Sequence, residues 1–250
     1  VNGPIVVDVG NTRVKWGRTA GGRVVDVAAL SADAEAWQRQ FDLWRLGPNS
    51  SWIVSGVHPH RREALLAWLS EKAARVQVLD SYQQLPLSVE VEEPGKVGID
   101  RLLNAVAANT QRRKESAAVI VDAGSAVTVD LVDAAGAFRG GAIFPGLQMM
   151  ARALNDYTAA LPLVDVDVPE RPPGINTIHA IRVGILAAAL GGIEQLVHAY
   201  RGQAAAEPEV YITGGDGTLL VVANPGLGGY WPAMTLVGIL HSAGAVSSHG

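Results

Sequence analysis

Short apolar runs and stretches of helical spacing alternate along the whole chain, and each run can be read from its own period. Residues 5–9 form an apolar run broken only by Asp8, which predicts a buried strand. Gly10, Asn11 and Thr12 then supply a turn that tolerates positive φ, and a second strand follows around residues 14–17, so this opening reads as a β-hairpin. Ala34, Trp37, Phe41 and Trp44 recur at helical spacing over 33–46. Residues 52–57 read as a buried strand. Residues 61–74 predict a helix that turns Leu65, Leu66, Trp68 and Leu69 inward, and 76–79 another short strand.

Pro86, Pro94, Gly95 and Gly98 mark 83–98 as a loop region. Ile99 or Asp100 opens a helix through Leu102, Leu103, Val106 and Ala107, with Arg112, Arg113 and Lys114 expected in its last turn, at the negative end of the dipole. A strand over 118–121 leads into Asp122, Ala123, Gly124 and Ser125, and another runs through Val132. Gly140, Gly141, Pro145 and Gly146 precede a helix near 148–161. Four prolines make 162–174 a loop. Residues 177–200 read as a long apolar helix interrupted at Gly191 and Gly192. Residues 209–213 are a strand running into Gly214, Gly215, Asp216 and Gly217, and 233–240 an apolar helix. Strands and helices mix throughout, so the fold class is α/β.

The chain also repeats itself. VVDVGNTRVKWG at 6–17 and VIVDAGSAVTVDLVD at 119–133 share an order: apolar pair, Asp, small residue, Gly, Asn or Ser, then a second strand. Asp8 and Asp122 lie 114 positions apart in a chain of 250 residues, close to half its length. Two similar halves are therefore expected, 1–115 and 116–250.

Composition narrows the class. Hydrophobic residues make up 48% and charged ones 18% of the chain, enough for a packed core, while aromatics at 6% leave Ala, Val, Leu and Ile to fill it. The net charge of −4 gives no basic footprint, so no nucleic-acid partner is expected. With no cysteine, disulfides, thiolate metal sites and thiol nucleophiles are excluded together. Asp8, Arg13, Lys15 and Arg18 interrupt any leader-like apolar run in the first twenty residues. The charge-free stretch 217–240 contains Pro225, Pro232 and five glycines, and reads as interior strand, turn and helix rather than a membrane span. A cytoplasmic protein without membrane attachment is expected.

Three places could carry chemistry. In Asp8, Val9, Gly10, Asn11, Thr12, Arg13, Val14 and Lys15, a hairpin turn can aim backbone N–H groups at phosphate oxygens, a strand-end carboxylate can hold hydrated Mg²⁺, and Lys15 can reach a terminal phosphate. The same residues also suit an ordinary side-chain-stabilised turn. Asp122 and Ser125 offer a second carboxylate and hydroxyl in the matching element, where Asp130 shares a strand face with Thr128 and reads as exposed or backbone-bonded. In Gly98, Ile99, Asp100 and Arg101, Asp100 is either a helix cap or a base that accepts a proton from an alcohol, and a helix N-terminus would favour its ionised form. Arg101 suits a substrate carboxylate. The 214–217 glycine cluster would let a planar base or ribose approach the backbone. His58 and His60 have no third ligand at metal spacing, His179 and His198 read as core or surface helix residues, and no G-x-x-x-x-G-K-[ST] phosphate loop occurs.

Taken together, DVGNTRVKWG (8–17), EEPGKVGIDRLLNA (92–105), VDAGSAVTVDLVD (121–133), GGAIFPGLQMMARAL (140–154), NTIHAI (176–181) and ITGGDG (212–217) closely resemble the type III pantothenate kinases of the acetate and sugar kinase, heat-shock chaperone and actin superfamily. The resemblance spans nearly the whole chain. It implies two ribonuclease H-like, actin-like lobes, each a mixed sheet with flanking helices, and a nucleotide cleft between them. It implies ATP-dependent phosphorylation of the primary hydroxyl of pantothenate, the first step toward coenzyme A, by a homodimer with its substrate pocket near the subunit interface. Position by position, it implies that Asp8 to Lys15 hold ATP phosphates, with Asp8 near Mg²⁺, and that Ser125 touches ATP. Asp122 would ligate K⁺ or NH₄⁺. Gly98, Ile99, Asp100, Arg101 and Thr177 would contact pantothenate, with Asp100 accepting the proton. Two departures stand out: Val91 occupies a pocket position where many members carry Tyr, and Ser125 replaces the usual Thr. They leave room for a kinase of another small alcohol, or for a non-catalytic, accessory-factor-like relative that binds nucleotide.

Overall fold

The computed structural model describes residues 3–72, 75–166, 171–202 and 206–246. The chain forms two compact units: residues up to Gln111 together with those from Ala233 onward, and Arg112–Pro232. The division expected at 115/116 thus falls at 111/112. The segment from 233, expected in the second half, belongs to the first unit.

In the first unit, β1 (Ile5–Val9), β2 (Val14–Ala20) and β3 (Arg23–Leu30) run antiparallel, and β4 (Ser51–Ser55) and β5 (Arg75–Leu79) lie parallel to β1, in the order β3-β2-β1-β4-β5. Helices α1 (Ala34–Leu43) and α2 (Pro59–Glu71) cover one face. There Val7, Val9, Val14, Trp16, Trp52 and Val54 pack with Trp37, Phe41, Leu65, Trp68 and Leu69. Trp16 is the hub, its ring 4.8 Å from that of Trp52 in an edge-on arrangement and 6.0 Å from Trp68. Because side chains alternate along a strand, Val6, Asp8, Lys15 and Gly17 share the opposite face. Two helices, α3 (Ile99–Gln111) and the C-terminal helix Met234–Val246, pack together on that side. A Cβ on Gly238 would lie 2.0 Å from the Leu103 carbonyl oxygen, and the Thr235 hydroxyl donates to Asn104 Oδ1 at 2.8 Å. The absence of a side chain at 238 is what lets the two helices meet this closely, and it ties the C-terminal segment to the first unit.

The second unit repeats the plan. Strands β6 (Ala118–Ala123), β7 (Ala126–Val132) and β8 (Phe138–Pro145) run antiparallel, with β9 (Glu209–Thr213) and the short β10 (Gly229–Tyr230) parallel to β6 beyond it. The order β10-β9-β6-β7-β8 is the first sheet's order read from the other edge. Helices α4 (Leu147–Asp156), α5 (Thr177–Arg201) and α6 (Gly217–Ala223) complete it, and the C-terminal helix is α7. Val119, Val121, Val127, Val129 and Ile212 pack against Leu186, Ile193 and Val197 of α5 and Leu220 of α6.

Most elements lie where periodicity places them, and the differences have physical reasons. The third strand of each antiparallel trio, β3 and β8, was not predicted. In β3 every second residue is exposed and the rest are half-buried, so its apolar signal is weak, although Gly21 and Gly22, at φ 57° and 74°, form the tight turn that announces it. Helix α5 continues through Gly191 and Gly192 without a break. Two interior glycines cost about 1 kcal/mol each relative to alanine, less than the burial of Ile185, Leu186, Ile193 and Val197 contributes. By length and composition α5 could also cross a membrane. Its apolar positions are shared between the sheet cluster and a second cluster with Leu147 and Ala151 of α4. Arg112, Arg113 and Lys114 lie beyond α3 rather than in its last turn. Arg112 Nη1 donates to the carbonyls of Ser116 at 2.7 Å and Ala134 at 3.1 Å, and Arg113 pairs with Glu209 at 3.1 Å, so these cations fasten the start of the second unit.

Candidate active site

Asp8, the penultimate residue of β1, is 8% exposed and lies opposite Lys15 on β2 and Ser55 on β4. Direct opposition puts all three polar side chains on the α3/α7 side of the sheet, while the tryptophan cluster occupies the other. The Ser55 hydroxyl is engaged, donating to the Leu79 carbonyl at 2.6 Å. The turn after Val9 is closed by the Gly10 N–H, which donates to the Arg13 carbonyl at 3.1 Å, and Asn11, Thr12 and Arg13 are exposed at its tip. Gly56, at φ 140°, lies against the strand end, where its missing Cβ would be 2.3 Å from the Val9 oxygen, and the next N–H, of Val57, donates to that oxygen at 3.1 Å. From α2, Arg61 Nη1 donates to the Gly10 carbonyl at 3.1 Å and also to the Asn11 carbonyl.

The same corner holds the start of α3. A Cβ on Gly98 would lie 3.9 Å from Val57 Cγ1 and 2.6 Å from Asp100 Oδ1, so Val57, bonded to the end of β1, lies near Gly98, two residues before the aspartate. The Arg101 N–H donates to Asp100 Oδ1 at 2.9 Å. Burial raises the Asp100 carboxyl above its ordinary 3.8, against the opposing pull of that N–H and of the Arg101 charge. The ionised form favoured by a helix start is therefore outweighed by desolvation. Asp100 is a stronger base than its place at a helix N-terminus suggested.

In the second unit, Asp122 lies opposite Thr128 on β7 and Thr213 on β9. The Thr128 Oγ1 is buried without a hydrogen-bond partner. The Gly124 N–H donates to the Ala126 carbonyl at 3.1 Å, closing a turn one residue shorter than its counterpart, with Ser125 exposed. Gly214, at φ 91°, repeats Gly56: its Cβ would lie 2.3 Å from the Ala123 oxygen. Burial raises the carboxyl of Asp216, whose N–H donates to the Ala123 carbonyl at 2.9 Å. Asp130, expected to be exposed or backbone-bonded, is 1% exposed, with Gly141 close enough that a Cβ there would lie 2.3 Å from its Oδ1.

Val91 is half-buried in the loop before α3. Thr177 is the first residue of α5, exposed, and lines an apolar groove of about 1130 Å³ between α4 and α5 with Met149, Tyr157, Ile175 and Ile181. Among the described residues no three His, Asp or Glu side chains cluster as a metal cage.

A family model described as type III pantothenate kinase matches residues 4–199. The chain belongs to the type III pantothenate kinase family. A type III pantothenate kinase of Rhodopirellula baltica is 41% identical over 181 residues, 69% of this chain and 63% of the relative. That of Chlorobaculum parvum is 42% identical over 86% of this chain and 85% of its own. Among solved structures, the activator of the 2-hydroxyisocaproyl-CoA dehydratase from Clostridium difficile, with bound ADPNP, superposes with a TM-score of 0.54 over 99% of this chain and 97% of its own, at 12% identity, a likeness of fold. The expected fold class, α/β with two similar mixed sheets and flanking helices, is the one observed, and family membership makes the chain a kinase.

Sequence reasoning missed Gly56, Arg61, Thr128 as an orphaned hydroxyl, and Gly146, whose Cβ would lie 2.3 Å from the Gly124 oxygen. Gly56 had a signal: Ser-Gly after β4 matches Thr-Gly after β9. Arg61 had none, being one of two adjacent arginines on a polar helix start.

Proposed function

We propose that this chain transfers the γ-phosphoryl group of ATP to the primary hydroxyl of pantothenate, giving 4'-phosphopantothenate and ADP, and that Asp100 is the catalytic base. The hydroxyl oxygen forms the new bond to phosphorus as the bond from phosphorus to the ADP oxygen breaks, and the hydroxyl proton passes to an Asp100 carboxylate oxygen. Phosphoryl transfer depends more on orientation and charge than on base strength, so a carboxylate with a modestly raised pKa suffices. The setting of Asp100 is the single observation that supports this assignment: a half-buried carboxyl, shifted upward by burial, beside the end of β1 through Val57 and Gly98.

In this reading the turn from Asp8 to Lys15 and Ser125 bind the ATP phosphates. Gly98, Ile99, Arg101, Val91 and Thr177 bind pantothenate, with Arg101 facing its carboxylate. The residues present fit the cations of the family. A lone strand-end carboxylate such as Asp8 suits Mg²⁺ that keeps its waters and arrives with the nucleotide, where it neutralises phosphate charge. Asp122, with the unpartnered Thr128 hydroxyl opposite it, offers the oxygen donors that K⁺ or NH₄⁺ takes. The exposed apolar side chains Met149, Tyr157, Ile175 and Ile178 around the α4/α5 groove favour a homodimer.

The test is ADP release from purified protein with and without pantothenate, in K⁺ and then in Na⁺. Pantothenate-stimulated release in K⁺, lost in Asp100→Asn, is the expected result. Nucleotide binding without stimulated release would make the chain a non-catalytic relative, and stimulation by another alcohol in preference to pantothenate would redirect the substrate assignment.

A further inference from the structure

We propose that Arg61 is a positioning residue for the nucleotide phosphates, acting through the backbone of the Gly10–Asn11 turn; this rests on the kinase reading of that turn. One guanidinium nitrogen, Nη1, takes both the Gly10 and the Asn11 carbonyls. Both following peptide bonds are trans, and in a trans peptide the C=O and the next N–H point in opposite directions. Holding the two carbonyls on α2 therefore turns the Asn11 and Thr12 N–H groups together to the side away from α2. Two successive N–H groups aimed the same way make an anion-binding concavity. A carbonyl that accepts from a cation also polarises its peptide and makes the attached N–H a better donor.

The second unit performs the same task with different chemistry. The Gly146 N–H donates to the Ser125 carbonyl at 3.2 Å, and a Cβ at 146 would lie 2.3 Å from the Gly124 oxygen and 2.6 Å from the Ser125 oxygen. Backbone carbonyls of both turns are thus held from behind, by a main-chain N–H at 146 and by a side chain at 61. Only the second kind can be removed without touching the main chain. The neighbouring Arg62 is directed elsewhere, to the Gly56 carbonyl at 3.4 Å and to Asp80 at 3.7 Å, so the link to the turn is specific to Arg61.

The experiment compares wild type, Arg61→Ala, Arg61→Gln and Arg61→Lys by steady-state kinetics with each substrate varied, and by anisotropy of a fluorescent ADP analogue. Arg61→Ala is expected to raise the KM for ATP and weaken the ADP analogue about ten-fold, with the KM for pantothenate and the thermal midpoint nearly unchanged. Arg61→Lys and Arg61→Gln, which keep a donor, recover part of the loss, as does millimolar guanidinium added to the Ala variant. An ATP KM and analogue affinity within two-fold of wild type in Arg61→Ala overturn the proposal. So does a parallel rise in both KM values with a lowered midpoint and no recovery in Lys or Gln. The two readings separate cleanly. Wild type that binds the analogue but releases no ADP with pantothenate sinks the pantothenate assignment, while weaker binding in the Ala variant still upholds Arg61. Wild type that binds no nucleotide overturns both.

Discussion

Gly56 presses its α-carbon side against Val9 so closely that any Cβ there would fall 2.3 Å from the Val9 oxygen and 2.5 Å from its nitrogen. The pair fixes where β1 ends and where its turn begins, and Gly214 against Ala123 does the same in the second unit. Gly56→Ala combines a backbone clash with a φ of 140° that L-residues rarely adopt, and should destabilise the protein by about 2–4 kcal/mol. Urea unfolding reads this directly, and a midpoint unchanged from wild type would show that the contact relaxes at no cost.

Asp100→Asn removes the proposed proton acceptor but keeps the shape of the side chain. Loss of a general base lowers turnover by about 10²–10⁴. Affinity for the ADP analogue should remain within two-fold, since the change leaves the Asp8–Lys15 turn untouched. Turnover near wild type would take Asp100 out of the base role.

Burial of Asp100 also has a thermodynamic signature. Below the ordinary value of 3.8 both folded and unfolded chains hold the proton. Between 3.8 and the raised folded value the unfolded chain has released it and the folded protein has not, so this group makes stability fall as pH rises through that window. At neutral pH the buried charge therefore opposes folding. Thermal midpoints of wild type and Asp100→Asn, measured from acid to neutral pH, should diverge in favour of Asn as pH increases. The acid limb of kcat should likewise be displaced upward from the ordinary aspartate value. A constant difference between the two midpoints would contradict the burial of the charge.

The tryptophan face backs the strand that carries Asp8. Trp16 is fully buried and ringed by Trp44, Trp52 and Trp68. Trp16→Ala should cost about 3–5 kcal/mol in urea unfolding. Trp16→Phe should cost less, because it keeps an aromatic ring and removes an indole N–H that has no partner.

Along the α4/α5 groove, Ile175 is 83% and Met149 48% exposed. A charge at either position opposes burial of this surface against a second copy. Ile175→Glu and Met149→Glu should shift the sedimentation profile from dimer to monomer, and monomeric wild type would remove the groove as a dimer surface.

Local rules carried the reading of single elements a long way. A short apolar run broken only by Asp8, followed by a Gly-Asn-Thr turn, marked β1 and β2, helical spacing of Trp37 and Phe41 marked α1, and the recurring Asp-x-Gly revealed the internal repeat. Where exposure diluted the period, as in β3, or where packing outweighed propensity, as at Gly191 and Gly192 of α5, the local rule failed.

What the linear order of residues determined was the set of strand ends bearing Asp8 and Asp122 and the helix start bearing Asp100, because turn chemistry and hydrophobic period act over a few neighbours. What the tertiary structure alone decided was each group's company. Arg61 reaches Asn11 across 50 positions, Thr235 reaches Asn104 across 131, and the Asp100 carboxyl is partly desolvated at the start of α3. Desolvation and long-range hydrogen bonds are properties of packing, and packing exists only once distant segments have met.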